Sequence, residues 1–167
     1  MIRLAQEGDW PSILEVHRAA FGEDDVPRLA AELHDRADLY VPELSFVAEE
    51  EGAVVAHVMN TWNRIDETGE RVLQLSPLGV LPAHQRHGHG SELVRASLDA
   101  VRAAGEPLLL VEGAPAYYGR FGFVRADELG LLPPPEALYD WAFQVAVLDP
   151  GAVLPQGHVV YSEPFRH

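Results

Sequence analysis

The residues best equipped for chemistry stand at 85–91, Gln85-Arg86-His87-Gly88-His89-Gly90-Ser91, between a strand-like run and a helix-like run. Holding an anion such as a pyrophosphate takes several backbone N–H groups aimed at one place. The start of a helix supplies unpaired ones together with a favourable dipole. Gly88 and Gly90 let the main chain approach closely and adopt conformations that a side chain would forbid. Ser91 adds a hydroxyl donor and Arg86 a positive charge. Most of these donors are neutral, so the loop suits an anion even in an acidic chain. A glycine-containing turn that merely opens a helix has the same composition, and the loop by itself leaves both readings standing.

Other chemistries fail on spacing. A Walker A loop needs Gly-Lys-Ser/Thr, and the chain has no lysine. A dinucleotide fingerprint needs a small residue three positions after Gly90, where Leu93 stands. His84, His87 and His89 invite a metal reading. A loop, however, lacks the helical or alternating spacing that aims three imidazoles at one point, and no carboxylate lies within the loop itself. No metal is expected.

The elements that must hold the loop follow from hydrophobic periodicity. Residues 2–4 suit a strand. Asp9 can cap a helix with Trp10, Ile13, Leu14, His17, Ala20 and Phe21 on one stripe. Asp24 or Asp25 can cap a second, with Val26, Leu29, Ala30 and Leu33 inward. Residues 44–49 and 53–62 predict a hairpin turning at Glu51-Gly52, and 72–81 a third strand of that meander. After Pro82 and the loop comes a helix with Leu93, Val94, Leu98 and Val101 on one face, ending near Gly105. The wholly apolar 108–111 reads as a strand buried on both faces, which would lie parallel to the strand before the loop. Residues 113–120 suggest a short helix, 121–123 the entry to a strand, 131–135 a Pro-rich loop and 142–148 a strand, with a further short one in the tail. One mixed α/β domain over 1–167 is expected.

Composition bounds the partners. The 167 residues carry 26 acids against 12 basic residues, all arginine, for a net charge of −14. Scattered arginines in such a field disfavour nucleic acid and anionic membrane, and the same field attracts a cationic substrate. No apolar run approaches the roughly 20 residues that span a bilayer. With no cysteine there is neither a disulfide framework nor a Cys-ligated zinc site. A soluble, cytoplasmic protein is the expectation.

The loop resembles the Q/R-x-x-G-x-G/A acetyl-CoA motif of the GNAT superfamily of N-acetyltransferases. The preceding Leu78-Gly79-Val80-Leu81-Pro82 is similar to that family's strand entering the motif, and Tyr117-Tyr118-Gly119-Arg120-Phe121-Gly122-Phe123 to its aromatic-Tyr-x-x-x-Gly-Phe segment. The opening from Ile2-Arg3 to Phe21 resembles the usual GNAT start, and the likeness is weakest after Gly130. The resemblance implies a mixed α/β fold: a mostly antiparallel sheet with a central parallel pair splayed at the acetyl-CoA site and helices on both faces. It further implies acetyl transfer from acetyl-CoA to an amine, without a metal, by a monomer or homodimer. Gln85, Arg86, His87, Gly88, His89, Gly90 and Ser91 would hold the cofactor, with the backbone around Leu78, Gly79 and Val80 taking the pantetheine arm as an added strand would. Pro77 fits a strand that parts from its partner, because it donates no ladder bond.

Tyr118 occupies the position that in many relatives protonates the coenzyme A sulfur, while Tyr117 packs. Backbone N–H groups near Val80 are candidates for the oxyanion. For the base, Glu112 at the end of a buried strand competes with a water chain held by Ser76, Gln74 and His57. A module of the same fold that binds acyl-CoA without turnover is the alternative function.

Overall fold

The alternating first half forms a meander in the computed structural model, which describes residues 1–166. Strand β1 (Ile2–Leu4) matches the expected run, β2 (Tyr40–Glu50) and β3 (Ala53–Ile65) extend theirs, and β4 (Arg71–Val80) lies one residue earlier than expected. The β2–β3 turn places Glu51 and Gly52 at φ 51° and 81°. That mirror-image geometry matches the twist of a two-residue hairpin. Between β1 and β2 run α1 (Trp10–Phe21) and α2 (Asp25–His34). Helix α1 buries Trp10, Ile13, Val16 and His17, whereas Phe21, expected on that stripe, is exposed at the last turn before the left-handed Gly22. Asp9 stands at the N-cap position, but its carboxylate accepts from the Arg3 guanidinium at 2.8 and 3.0 Å and from the Gln6 amide at 2.8 Å.

In the second half, α3 (His89–Ala103) buries the four expected residues, Leu93, Val94, Leu98 and Val101. Strand β5 (Leu108–Glu112) follows, then α4 (Pro115–Tyr118), β6 (Val124–Arg125), β7 (Leu131–Leu132), β8 (Phe143–Val147) and β9 (Gly157–Val160). The sheet order is β1-β2-β3-β4-β5-β8-β6, with β9 pairing both the end of β3 and β7. The ladders β1–β2, β2–β3, β3–β9, β5–β8 and β6–β8 are antiparallel, whereas β4–β5, registered at Gln74 opposite Leu110, and the short β7–β9 pair are parallel. The fold is therefore mixed α/β with a mostly antiparallel sheet. The expected loop at 131–135 begins instead with a strand. Leu131 is buried with Ile65, Phe143 and Val159, and pairs with a strand too distant in sequence for local pattern to reveal.

The chain divides into two compact units, Met1–Thr61 with Leu75–Ala100, and Trp62–Gln74 with Val101 onward. Strands β3 and β4 run through both. No helix among the described residues is long and apolar enough to cross a membrane.

Candidate active site

In the first unit, β4 alternates a buried set, Leu75, Pro77 and Gly79, with a half-buried set, Ser76, Leu78 and Val80. Leu81 donates its N–H to the Val55 carbonyl of β3 at 2.9 Å. Main-chain groups alternate edges along a strand, so Leu78 and Val80 turn theirs to the edge away from β3. There the Val80 carbonyl accepts the Gln85 side-chain amide at 3.0 Å, which ties the loop to the strand end. Gly79 is a glycine because of packing: a Cβ would stand 2.7 Å from His17 Nδ1. His17 continues through His57 to Ser45, with Nε2···Nδ1 at 2.8 Å and Nε2···Oγ at 3.0 Å. Burial lowers His17 to about 4 and His57 well below its usual value, so this chain is neutral at neutral pH. His57 is fully buried in it, which removes His57 from the expected water chain.

The loop leaves β4 through a turn at Pro82–His84 and reaches α3 with Arg86 at φ 64° and Gly88 at φ 88°. A Cβ on Gly88 would meet nothing nearer than Glu92 Oε1 at 3.9 Å, so conformation rather than space demands glycine. The first helical bond runs from Glu92 N–H to the Gly88 carbonyl at 3.0 Å. The amides of His89, Gly90 and Ser91 lie ahead of it, at the positive end of the dipole.

The three histidines do converge, contrary to expectation. One nitrogen from each of His84, His87 and His89 lies within 4.8 Å of the others. A carboxylate joins them from far in sequence: Glu50, at the end of β2, meets His84 Nδ1 at 2.8 Å and His89 Nε2 at 2.7 Å. The left-handed residues Arg86 and Gly88 fold the loop back in a way that spacing alone does not reveal. Desolvation raises the Glu50 carboxyl, but the His89 and His84 hydrogen bonds outweigh it and hold the group below its ordinary value. His89 is 7% exposed, so towards an anion it offers main chain rather than ring.

In the second unit, Tyr118 ends α4 with its ring laid on Gly113, where a Cβ would collide with it. Phe123 and Tyr117 stand edge-on, with centroids at 5.6 and 4.9 Å. Burial, with a smaller push from Tyr117, raises the Tyr118 phenol to about 12, so it holds its proton at neutral pH. Tyr117 packs beneath the Arg120 guanidinium at 4.7 Å.

Glu112 anchors a network in the same unit. Its Oε1 accepts from the Tyr161 hydroxyl at 2.9 Å and its Oε2 from the Leu138 N–H at 3.0 Å. Gln74 Nε2 donates to the Tyr161 oxygen at 3.0 Å, Asn63 Nδ2 to Gln74 Oε1 at 3.0 Å, and Ser162 N–H to Asn63 Oδ1 at 2.8 Å. Gln74, expected to hold water, is thus buried with both amide ends bonded to protein. Tyr161 escaped the sequence reading because its partners are 49 and 87 residues away. The structure so places the β4 and loop residues in one unit, and Tyr118, Glu112 and Gln74 in the other.

Residues 1–126 match the acetyltransferase (GNAT) domain family. Two Escherichia coli K12 proteins described as uncharacterized N-acetyltransferases are similar. YjhQ is 32% identical over 122 residues, covering 72% of this chain and 67% of its own. YhbS is 30% identical over 129 residues, covering 75% and 74%. The solved structure of E. coli YhbS in complex with CoA gives a TM-score of 0.87 at 28% identity, over 100% of this chain and 92% of that one. A Brucella melitensis GNAT family acetyltransferase in complex with acetyl-CoA gives 0.80 at 30% identity, over 99% and 97%.

Proposed function

This chain belongs to the GNAT acetyltransferase family, and from that premise we propose that it moves an acetyl group from acetyl-CoA to a primary amine on a small molecule or peptide. The observation that carries the proposal is the loop between β4 and α3, where a left-handed Gly88 precedes the helix and amides 89–91 lie ahead of its first bond. Neutral main-chain donors of this kind suit a pyrophosphate within a chain of net charge −14. The outward edge of Leu78 and Val80 supports pantetheine binding in the manner of an added strand. A single acetyltransferase domain over residues 1–167 is part of this reading.

The neutral amine nitrogen attacks the thioester carbonyl, the tetrahedral oxyanion draws on N–H groups near Val80, and the C–S bond breaks as the nitrogen releases its second surplus proton to solvent, leaving the amide. An alkylammonium near ~10 must first lose a proton. Glu112 is the acceptor we assign, since its carboxylate can take a proton, whereas His57 is sealed and Gln74 has no basic group and is bonded at both ends. Tyr118 supplies the proton that the departing thiolate takes, and solvent refills it. The acidic field favours a cationic acceptor.

Thiol release measured with a panel of amines and several acyl-CoAs tests the proposal. Turnover with an amine class and acetyl-CoA is expected. Tight acyl-CoA binding with no thiol release on any amine would leave a binding module instead.

A further inference from the structure

The rings of His84, His87 and His89 form a donor set that the proposed transfer, which draws on the main chain of this loop, does not use. Each ring offers a nitrogen within 4.8 Å of the other two, and the ring centroids stand 6.3 to 6.5 Å apart. Zinc binds imidazole nitrogen at about 2.0–2.1 Å, which puts neighbouring nitrogens of a tetrahedral site roughly 3.4 Å apart. His87 is exposed at the loop tip, so its ring has room to swing in and close that difference. Neutral imidazoles select borderline cations of the zinc, nickel and copper kind over magnesium or calcium, which prefer oxygen.

Two further features point to an ion. Ligating histidines commonly give their second ring nitrogen to a carboxylate, which fixes the tautomer and ring orientation. Glu50 does this for two rings at once, through His84 Nδ1 at 2.8 Å and His89 Nε2 at 2.7 Å. The His89 nitrogen that Glu50 leaves over, Nδ1, is buried and has no hydrogen-bond partner among the described residues. A buried polar atom without a partner calls for an explanation such as an ion.

We propose that His84, His87 and His89 bind a first-row divalent cation of the zinc class, with Glu50 orienting two of the rings. All four residues belong to the first unit. The ion clasps the end of β2 to the loop ahead of α3, and no step of the acyl transfer passes through it.

The untagged full chain, stripped with a chelator, is titrated with Co²⁺ as a spectroscopic probe. The expected result is saturable one-to-one binding with visible ligand-field absorption, displaced by Zn²⁺. His87→Ala alters an exposed residue, so the fold is spared, and it should weaken binding at least about tenfold. Glu50→Gln should weaken it by about 10- to 100-fold. His158→Ala, which removes an exposed histidine paired with Glu67, should leave it unchanged. Far-UV circular dichroism separates misfolded variants from folded ones. Absence of one-to-one binding would overturn the proposal, and so would binding that keeps its affinity in both folded His87→Ala and Glu50→Gln. That outcome would make the cluster a hydrogen-bonded clip. Acetyl-CoA is absent from the titration, so its failure leaves the transfer reading intact.

Discussion

The loop ahead of α3 is proposed to work through main-chain amides that follow a left-handed Gly88, in a segment tied to β4 by the Gln85–Val80 bond. The second unit is proposed to work through the side chains of Glu112, which accepts from Tyr161 and Leu138, and Tyr118, which packs edge-on against Phe123. A main-chain site depends on local conformation, so its demands fall on a few adjacent residues. A side-chain network depends on what the fold brings together. The two regions should therefore fail differently: damage to the loop costs binding, and damage to the second unit costs chemistry.

The largest expected effect separates the two. Tyr118→Phe keeps the ring over Gly113 and deletes the proton, so kcat should fall by roughly 10²–10⁴. Acetyl-CoA affinity should stay within about threefold, since the lost interaction belongs to the transition state. Tyr117→Phe should be far milder. Near-wild-type kcat in single-turnover experiments on Tyr118→Phe would reduce the phenol to packing.

Next comes acid sensitivity, which belongs to the first unit. His17 has a folded value of about 4 against 6.5 in the unfolded chain, so the unfolded state binds more protons between those values. Its contribution to stability is complete above about pH 6.5 and is lost as pH falls, by about 1.4 kcal/mol per pH unit and roughly 3 kcal/mol by pH 4. His57 acts in the same direction. Urea midpoints that stay level from pH 7 to pH 5 would contradict a buried neutral pair.

Gly88→Val should weaken acetyl-CoA binding about tenfold, consistent with backbone strain of about 1–3 kcal/mol where φ is positive. Saturating the variant with acetyl-CoA should restore much of kcat. Calorimetry that finds unchanged affinity in the folded variant would remove the loop from the site. The smallest effect is electrostatic: kcat/KM for a diamine should decline as salt rises if the field of −14 steers it. A flat response returns the acidity to solubility.

The same contrast explains what could be read from residues alone. Gly88, the helix stripe from Leu93 to Val101 and the buried run ending at Val111 announce themselves, because glycine conformations and periodicity are local. Tyr118 came through resemblance rather than spacing. Tyr161 gave no signal, and the Glu50 bridge could not be anticipated when 34 and 39 residues separate it from its histidines. His84, His87 and His89 converge against their spacing for a related reason: two left-handed residues bend the loop more sharply than a regular element allows. His17 read as one apolar position among several, yet it determines that position 79 is glycine.

Transfer to an amine can be followed from both products in a single reaction. The purified chain is incubated with acetyl-CoA and a diamine, with free thiol and acetylated amine quantified together by absorbance and mass spectrometry. One acetylated amine should appear for each thiol released, with both suppressed in Tyr118→Phe. Thiol release without acetylated amine, or none above the uncatalysed rate with any amine, would contradict such transfer.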